Sequence, residues 1–510
     1  MPPTATSATS AGMAAQETER DHVVIFPFMA KGHTIPLLHL AAALSARGLR
    51  VTLVTTPANS PFIRRHLPTC RHPAVAILTL PFPHLHPLPP GVESTDVLPS
   101  LDLYPAFLRA TGLLRRPFHH LLVRLLGEAA RPPLCLISDF FLGWTLPLCR
   151  RFGLPRLVFH GMSTFSMALC KSLWVHQPHS TSAASGDHRL PFHVPGTPPS
   201  LLLTLTDVPD TIRNSANPDD PVTQYLNELG DSDVSSWGIV VNSFAAVDGD
   251  YVRLLESFYL GGARACLVGP LSLLADIESD AHECLKWLDG KDRGSVVFVS
   301  FGTQVHVPVT QLHEVAHGLV QSGHSFVWVV RSETWAPPDC VQERGKIVRG
   351  WVPQREILGH VAVGGFVSHC GWNSVLESLS AGVPILAWPM IAEQRLNAKH
   401  VVELLGAGVL VGAEAGEIIG REEVAKGVKE VMGGGEKGWK AREGAAELRQ
   451  AAAAAVAEGG TSDQALEELL EELRRANSNV IREFCKEEDQ AVVAEEATHA
   501  DLQQDGIQIS

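Results

Sequence analysis

No run of about 18 uninterrupted apolar residues, the length a membrane-spanning helix needs, occurs in the 510-residue sequence. The longest candidate, 134–149, is broken by Ser138 and Asp139. Positive charge is scarce as well: 41 Lys and Arg face 55 Asp and Glu, giving a net charge of -14 and a pI near 5.9. No basic stripe stands out to neutralise a phosphate backbone, which excludes nucleic acid as a partner and leaves any nucleotide to be bound as a small molecule. Nine cysteines contain no Cys-x-x-Cys pair, a pattern that fits a reducing compartment and no zinc site. Residues 1–20 lack the basic start and apolar core of a secretory signal and read as a disordered leader, so the chain is expected to be cytoplasmic and free of membrane. A Gly-x-Gly-x-x-Gly turn after a strand is also missing. Gly406-Ala407-Gly408 follows a helical pattern, and the next glycine, Gly412, comes one place late, which argues against a dinucleotide-binding oxidoreductase.

What is present is length and apolar content, 45% hydrophobic, enough for two buried cores without disulfide staples. Short apolar runs at 22–27, 50–56, 74–80, 135–139, 156–160 and 238–242 alternate with helical patterns such as 35–47 and 106–126. Gly261-Gly262 and Val268-Gly269-Pro270 then punctuate the chain, and a second alternating series follows, with strands at 295–300, 325–330, 346–348, 365–368, 385–388 and 409–412. Strands alternating with helices predict two doubly wound parallel sheets in an α/β chain. The expected division is 21–260 and 261–476, with an acidic, disordered tail at 477–510. Two loops, 81–100 and 176–223, are long for compact domains and are assigned to a binding mouth.

The most informative stretch is Trp351 to Gln394. Within it, Gly365 to Ser368 suits a buried strand, and Ser374 to Ser380 has helical spacing closed by Gly382. The polar turn between them gathers His369, Asn373, Ser374 and the unpaired N–H groups of a helix start, where the dipole favours an anion. Trp351 offers a flat face on one side of this phosphate seat, and Glu377 can accept from paired hydroxyls on the other. A base, a ribose, a diphosphate and a sugar would lie along that order.

Over these 44 positions the chain resembles the signature box of the plant family 1 UDP-dependent glycosyltransferases. The Trp351, Pro353-Gln354, His369-Cys370-Gly371-Trp372-Asn373-Ser374, Glu377, Gly382-Val383-Pro384, Trp388-Pro389 and Glu393-Gln394 elements all stand in register. The resemblance covers about residues 21–475 and implies the GT-B architecture, two Rossmann-like domains facing across a cleft, with the helix at 462–476 returning to the first domain. It implies a UDP-sugar donor held by Ser300, Thr303, Trp351, Val352, Gln354, His369, Gly371, Trp372, Asn373, Ser374, Glu377, Glu393 and Gln394. No cofactor or metal is implied, and the expected partners are the donor and a small hydroxylated acceptor, bound by a monomer.

An alcohol is a poor nucleophile at neutral pH, so transfer to a hydroxyl needs a base. His33, in Gly32-His33-Thr34 after the first strand, stands where the family's first-strand motif carries one. Most of the 23 histidines must be surface or structural, and its position singles this one out. Asp139, ending the fourth strand, matches the family's Asp that orients the base; the lesser alternative is an Asp that caps the following helix. Ser300-Phe301-Gly302-Thr303 resembles the family's turn at the diphosphate. In the family a final Gln, here Gln394, goes with glucose, so UDP-glucose is the expected donor, with inversion at the anomeric carbon; UDP-xylose, UDP-galactose and UDP-glucuronate are the alternatives. Of the rival classes, a metal-dependent transferase would need an Asp-x-Asp at a strand end. Asp231-Ser232-Asp233 has the letters but reads as a solvated loop. A sensor that binds nucleotide sugars without turnover would have no use for His33 and Asp139.

Overall fold

The computed structural model describes residues 20–68, 70–128, 132–213, 221–277, 282–412, 418–433 and 435–477. The leader and tail expected at 1–20 and 477–510 lie outside them except for one residue each. Strands β1 His22–Phe26, β2 Arg50–Thr55, β3 Val75–Thr79, β4 Cys135–Asp139 and β5 Arg156–His160 come first, then a two-residue hairpin of β6 Phe192–His193 and β7 Leu202–Leu203, then β8 Gly238–Val241 and β9 Ala265–Leu267. Apart from the hairpin they form one parallel sheet in the order β3-β2-β1-β4-β5-β8-β9. Every residue of β1, β4, β5 and β8 is buried, because helices cover both faces, and this is why these strands read as mainly apolar runs rather than as alternating patterns.

The second sheet is built of β10 Val296–Ser300, β11 Ser325–Val330, β12 Gly345–Arg349, β13 Val363–Ser368, β14 Ile385–Ala387 and β15 Gly408–Leu410. It is also parallel, in the order β12-β11-β10-β13-β14-β15. The fold is GT-B. In both sheets the first strand lies inside the order, β1 between β2 and β4 and β10 between β11 and β13, so the winding reverses beside it. Such a reversal opens a crevice beyond the carboxyl ends of the strands, where ligands of open α/β sheets bind. His33 follows β1 and Asp139 ends β4; Ser300 ends β10 and His369 follows β13. All four therefore stand at the two reversals.

The domains are pinned together behind the cleft. Trp372 Nε1 donates to the Asn242 carbonyl at 2.8 Å, and the helix over residues 461–477 returns across the junction. Its Leu466, Leu469, Leu470 and Leu473 enter the core that holds Val23, Ile25 and Leu53, each contributing roughly 1.5–3 kcal/mol by its burial. Arg47 pairs with Asp463 and Glu467 on the same helix.

Several local expectations change. The helix expected over 106–126 is two helices, Tyr104–Gly112 and Arg115–Glu128; Pro117 sits in the first turn of the second, where its missing N–H costs nothing. The 176–223 segment carries structure of its own: a helix at Ser180–Ser185, the β6–β7 hairpin, and the start of the Pro221–Val234 helix. The first sheet also runs past 260, since β9 pairs with β8.

Candidate active site

His33 lies in the first turn of the helix Lys31–Ala46, which β1 feeds through a short turn. Its Nδ1 is 2.7 Å from Asp139 Oδ2, and the imidazole keeps 22% of its side-chain surface while the carboxylate is sealed. An ionised carboxylate only accepts, so Nδ1 carries the hydrogen and Nε2 presents a lone pair to the cleft. Burial by itself would lower the His33 pKa. The charge and hydrogen bond of Asp139, helped by Glu393 and Asp96, outweigh it and leave the pKa raised. Phe28 and Phe141 stand edge-on to the ring, with centroids at 5.6 and 5.7 Å, and Tyr104 stands edge-on to Phe141. One side of the imidazole is thus walled by aromatic rings.

Facing it, β13 runs into the helix Trp372–Ala381 through Cys370, which takes a left-handed φ of 64°, and Gly371. Val375 N is the first backbone donor to bond back, to Gly371, which leaves the N–H groups of 372–374 aimed at the cleft. The imidazole of His369 is wedged between two glycines. A Cβ on Gly302 would come 2.6 Å from His369 Nε2, and one on Gly371 would come 2.5 Å from it. Gly302, at φ 77°, therefore makes room for the histidine as well as for any ligand backbone contact. Burial pushes His369 down to about 4, so it enters the site neutral. Ser300 Oγ accepts from Gly302 N at 3.4 Å, and Thr303 is partly exposed at the same turn.

Gln354 Nε2 donates to Ser374 Oγ at 2.9 Å and to Glu377 Oε2 at 2.8 Å. Burial, opposed by that amide, lifts the Glu377 carboxyl to about 7. Trp351 is 37% exposed, with Lys31 Nζ 4.7 Å from its ring centroid and Phe62 edge-on at 6.0 Å. Gln394 has one end of its amide engaged. Its Oε1 already accepts from Met390 N and Ile391 N, both at 3.0 Å, so only its NH₂ is left for a ligand. Val352 and Trp372 are placed as core residues, the indole lying parallel over His400, and they offer a ligand backbone only. Glu393 receives Asn397 Nδ2 at 3.3 Å, and burial raises its pKa.

The two halves touch. Asn373 Nδ2 donates to the carbonyl of Gly32, next to His33, and its Oδ1 accepts from Asn242 Nδ2 at 3.3 Å. Asn397, fully buried, accepts from Ser166 Oγ at 2.7 Å and donates to the Cys370 carbonyl at 3.0 Å, tying the left-handed turn to the first domain. Asp96, from the 81–100 loop, accepts from Lys31 N at 2.9 Å at the start of the His33 helix. Sequence reasoning missed Lys31, Asp96 and Asn397, whose partners are distant in the chain.

Asp233 overturns the solvated-loop reading of Asp231-Ser232-Asp233. It lies on the Pro221–Val234 helix, buried, and binds His160 Nε2 at 2.9 Å, Lys171 Nζ at 2.5 Å and Tyr259 OH at 2.7 Å. The polar letters hid a helix whose inner edge carries one internal carboxylate. Among the described residues no group of three His, Cys, Asp or Glu side chains is arranged to hold a metal ion, and no helix is long and apolar enough to cross a membrane.

The profile of the family described as UDP-glucoronosyl and UDP-glucosyl transferase matches residues 276–440. Scopoletin glucosyltransferase of Nicotiana tabacum is 38% identical, over 90% of this chain and 98% of its own. Anthocyanin 3'-O-beta-glucosyltransferase of Gentiana triflora is 37% identical, over 89% of this chain and 98% of its own. Among solved structures, UGT73P12 of Glycyrrhiza uralensis, complexed with glycyrrhetinic acid 3-O-monoglucuronide, superposes with a TM-score of 0.82 at 31% identity, covering 94% of this chain and all of that one.

Proposed function

The chain belongs to the plant UDP-glycosyltransferases and is an enzyme of that family, acting on small metabolites, and on that premise we propose that it transfers glucose from UDP-glucose to a hydroxyl of a planar phenolic acceptor. The observation that carries the reading is the bond from Asn373 to the Gly32 carbonyl, which sets a base one residue away from an anion seat. In this reading the uracil lies on Trp351, the ribose hydroxyls bond Glu377, and the diphosphate meets the 372–374 N–H groups, Ser374, Thr303 and His369. His33 Nε2 takes the acceptor's proton as the acceptor oxygen attacks the anomeric carbon; the bond to the diphosphate breaks and its electrons leave with UDP. One displacement inverts the centre.

The partly exposed rings of Phe141 and Tyr104 support a flat acceptor, and the relatives named for scopoletin and anthocyanin point the same way. Both relatives are named glucosyltransferases, which supports glucose. The diphosphate charge is met by a helix end and side-chain donors, so the reaction is read as metal-independent, in a cytoplasmic monomer. The test is a panel of labelled UDP-sugars against a mixture of phenolic acceptors, with products read by mass, with and without excess chelator. UDP-glucose is expected to give the highest turnover, unchanged by chelator. A preference for UDP-galactose or UDP-glucuronate, or activity restored only by Mn²⁺ or Mg²⁺, would overturn the reading.

A further inference from the structure

We propose that Arg156 is a positioning residue of this transfer, acting on His33 through Asp139; the proposal rests on the reading of His33 as the base. Arg156 opens β5 yet is only 1% exposed. Among the described residues its guanidinium is hydrogen-bonded to no carboxylate. It donates instead through Nε to Ser138 Oγ at 2.8 Å and to Thr145 Oγ1 at 2.9 Å, through Nη1 to Ser236 Oγ at 2.6 Å, and through Nη2 to the Asp139 carbonyl at 3.2 Å.

Those partners bracket one turn. Ser138 and Asp139 close β4, Asp139 caps the short 3-10 turn Phe140–Leu142, and Thr145 opens the helix Thr145–Arg151. Ser138 Oγ and Thr145 Oγ1 also lie 3.0 Å apart, and Thr145 Oγ1 donates to the Leu142 carbonyl at 2.6 Å. A single guanidinium thus fastens both ends of the segment that aims Asp139 at His33. An apolar side chain of like volume would fill the space without the penalty of burying a charge, so packing does not account for an arginine here.

The charge acts too. Burial lowers the Arg156 pKa and the fields of Asp233, Cys149, Asp139 and Tyr259 oppose it, while Asp233 is itself engaged by Lys171, His160 and Tyr259. Around His33 the facing charged groups are Asp139, Glu393 and Asp96, all of which favour the imidazolium. In this proposal Arg156, bonded to the Asp139 carbonyl, opposes them through Asp139. With it in place His33 gives up its proton at a lower pH and is free to act as a base near neutrality.

The experiment compares Arg156→Met and Arg156→Lys with His33→Ala, following kcat, donor KM and the pH dependence of kcat/KM for the acceptor, with UDP binding as the check of fold. Arg156→Met should lose about tenfold or more in kcat, inside the roughly 10²- to 10⁴-fold that a general base supplies, at unchanged donor KM. Its acid limb should move up by about one pH unit, the size expected for a unit charge on the order of 10 Å away at an effective dielectric near 20. Arg156→Lys keeps the charge and loses the fork, so its acid limb should stay in place while kcat drops roughly threefold or more. A folded Arg156→Met with an unmoved acid limb would overturn the inference. So would an Arg156→Lys enzyme with wild-type kcat, which decides the matter even if Arg156→Met fails to fold. Near-normal turnover in His33→Ala would instead overturn the reading of the base beneath it.

Discussion

The two oxygens of Asp139 serve different neighbours: Oδ2 lies 2.7 Å from His33 Nδ1, and Oδ1 accepts from Phe141 N at 3.0 Å. The contacts that the two sequence readings of this residue require, a bond to the His33 imidazole and a cap of the next turn, are therefore both present, one on each oxygen. Asp139→Asn keeps an oxygen for the cap but turns an amide toward the imidazole, which favours the wrong tautomer. Turnover should fall, by less than in His33→Ala, with thermal stability unchanged. Asp139→Ala loses the cap as well and should cost about 0.5–2 kcal/mol of stability, read from denaturant unfolding.

Acid should inactivate the enzyme through His33. A base works only when unprotonated, and the His33 pKa is raised, so kcat/KM for the acceptor should fall as pH drops through a value above the ordinary 6.5. A pH–rate profile checks this, and an acid limb well below 6.5 would count against it.

Glu377 predicts proton release on donor binding. Its carboxyl stands at about 7 in the free protein, so near neutrality a substantial fraction is protonated. Ribose hydroxyls donating to it favour the ionised form and lower its pKa. UDP-glucose affinity should therefore rise with pH across neutrality, with a fraction of a proton released per molecule bound, measurable by calorimetry in buffers of different ionisation enthalpy. Glu377→Gln should abolish the release.

For Gln394, the commitment of Oε1 to two backbone N–H groups separates two effects. Gln394→Glu keeps an acceptor for the loop and loses the amide donor, so UDP affinity should hold while the KM for UDP-glucose rises. Gln394→Ala also frees Met390 N and Ile391 N and should cost a further 1–3 kcal/mol or so of stability. Loss of UDP binding in Gln394→Glu would place the residue on the nucleotide instead.

Much of this was legible because parallel strands buried on both faces leave continuous apolar runs, and because the residues at each switch of the sheets follow directly on such runs. His33 after β1 and His369 after β13 could be singled out on that ground. What escaped was tertiary. Arg156 opens a strand in the sequence, and nothing local tells that its guanidinium ends under Asp139. Asn397 links Ser166 to Cys370, partners far apart in the chain. Asp233 looked solvated because its helix is polar on the outside and its partners, His160, Lys171 and Tyr259, come from three other stretches of the chain. Gln394 showed its amide but not which end of it the loop had taken.

The most direct test of the account is a single comparison: wild type and His33→Ala, each given UDP-glucose and a phenolic acceptor, with the product's anomeric configuration read by NMR and UDP binding measured in parallel. The account predicts a β-O-glucoside from the wild type. It predicts turnover lower by about 10²-fold or more in His33→Ala, with UDP affinity unchanged, since the base and the anion seat belong to different domains. An α-linked product, or a His33→Ala enzyme that glycosylates the alcohol at a near-normal rate, would contradict it.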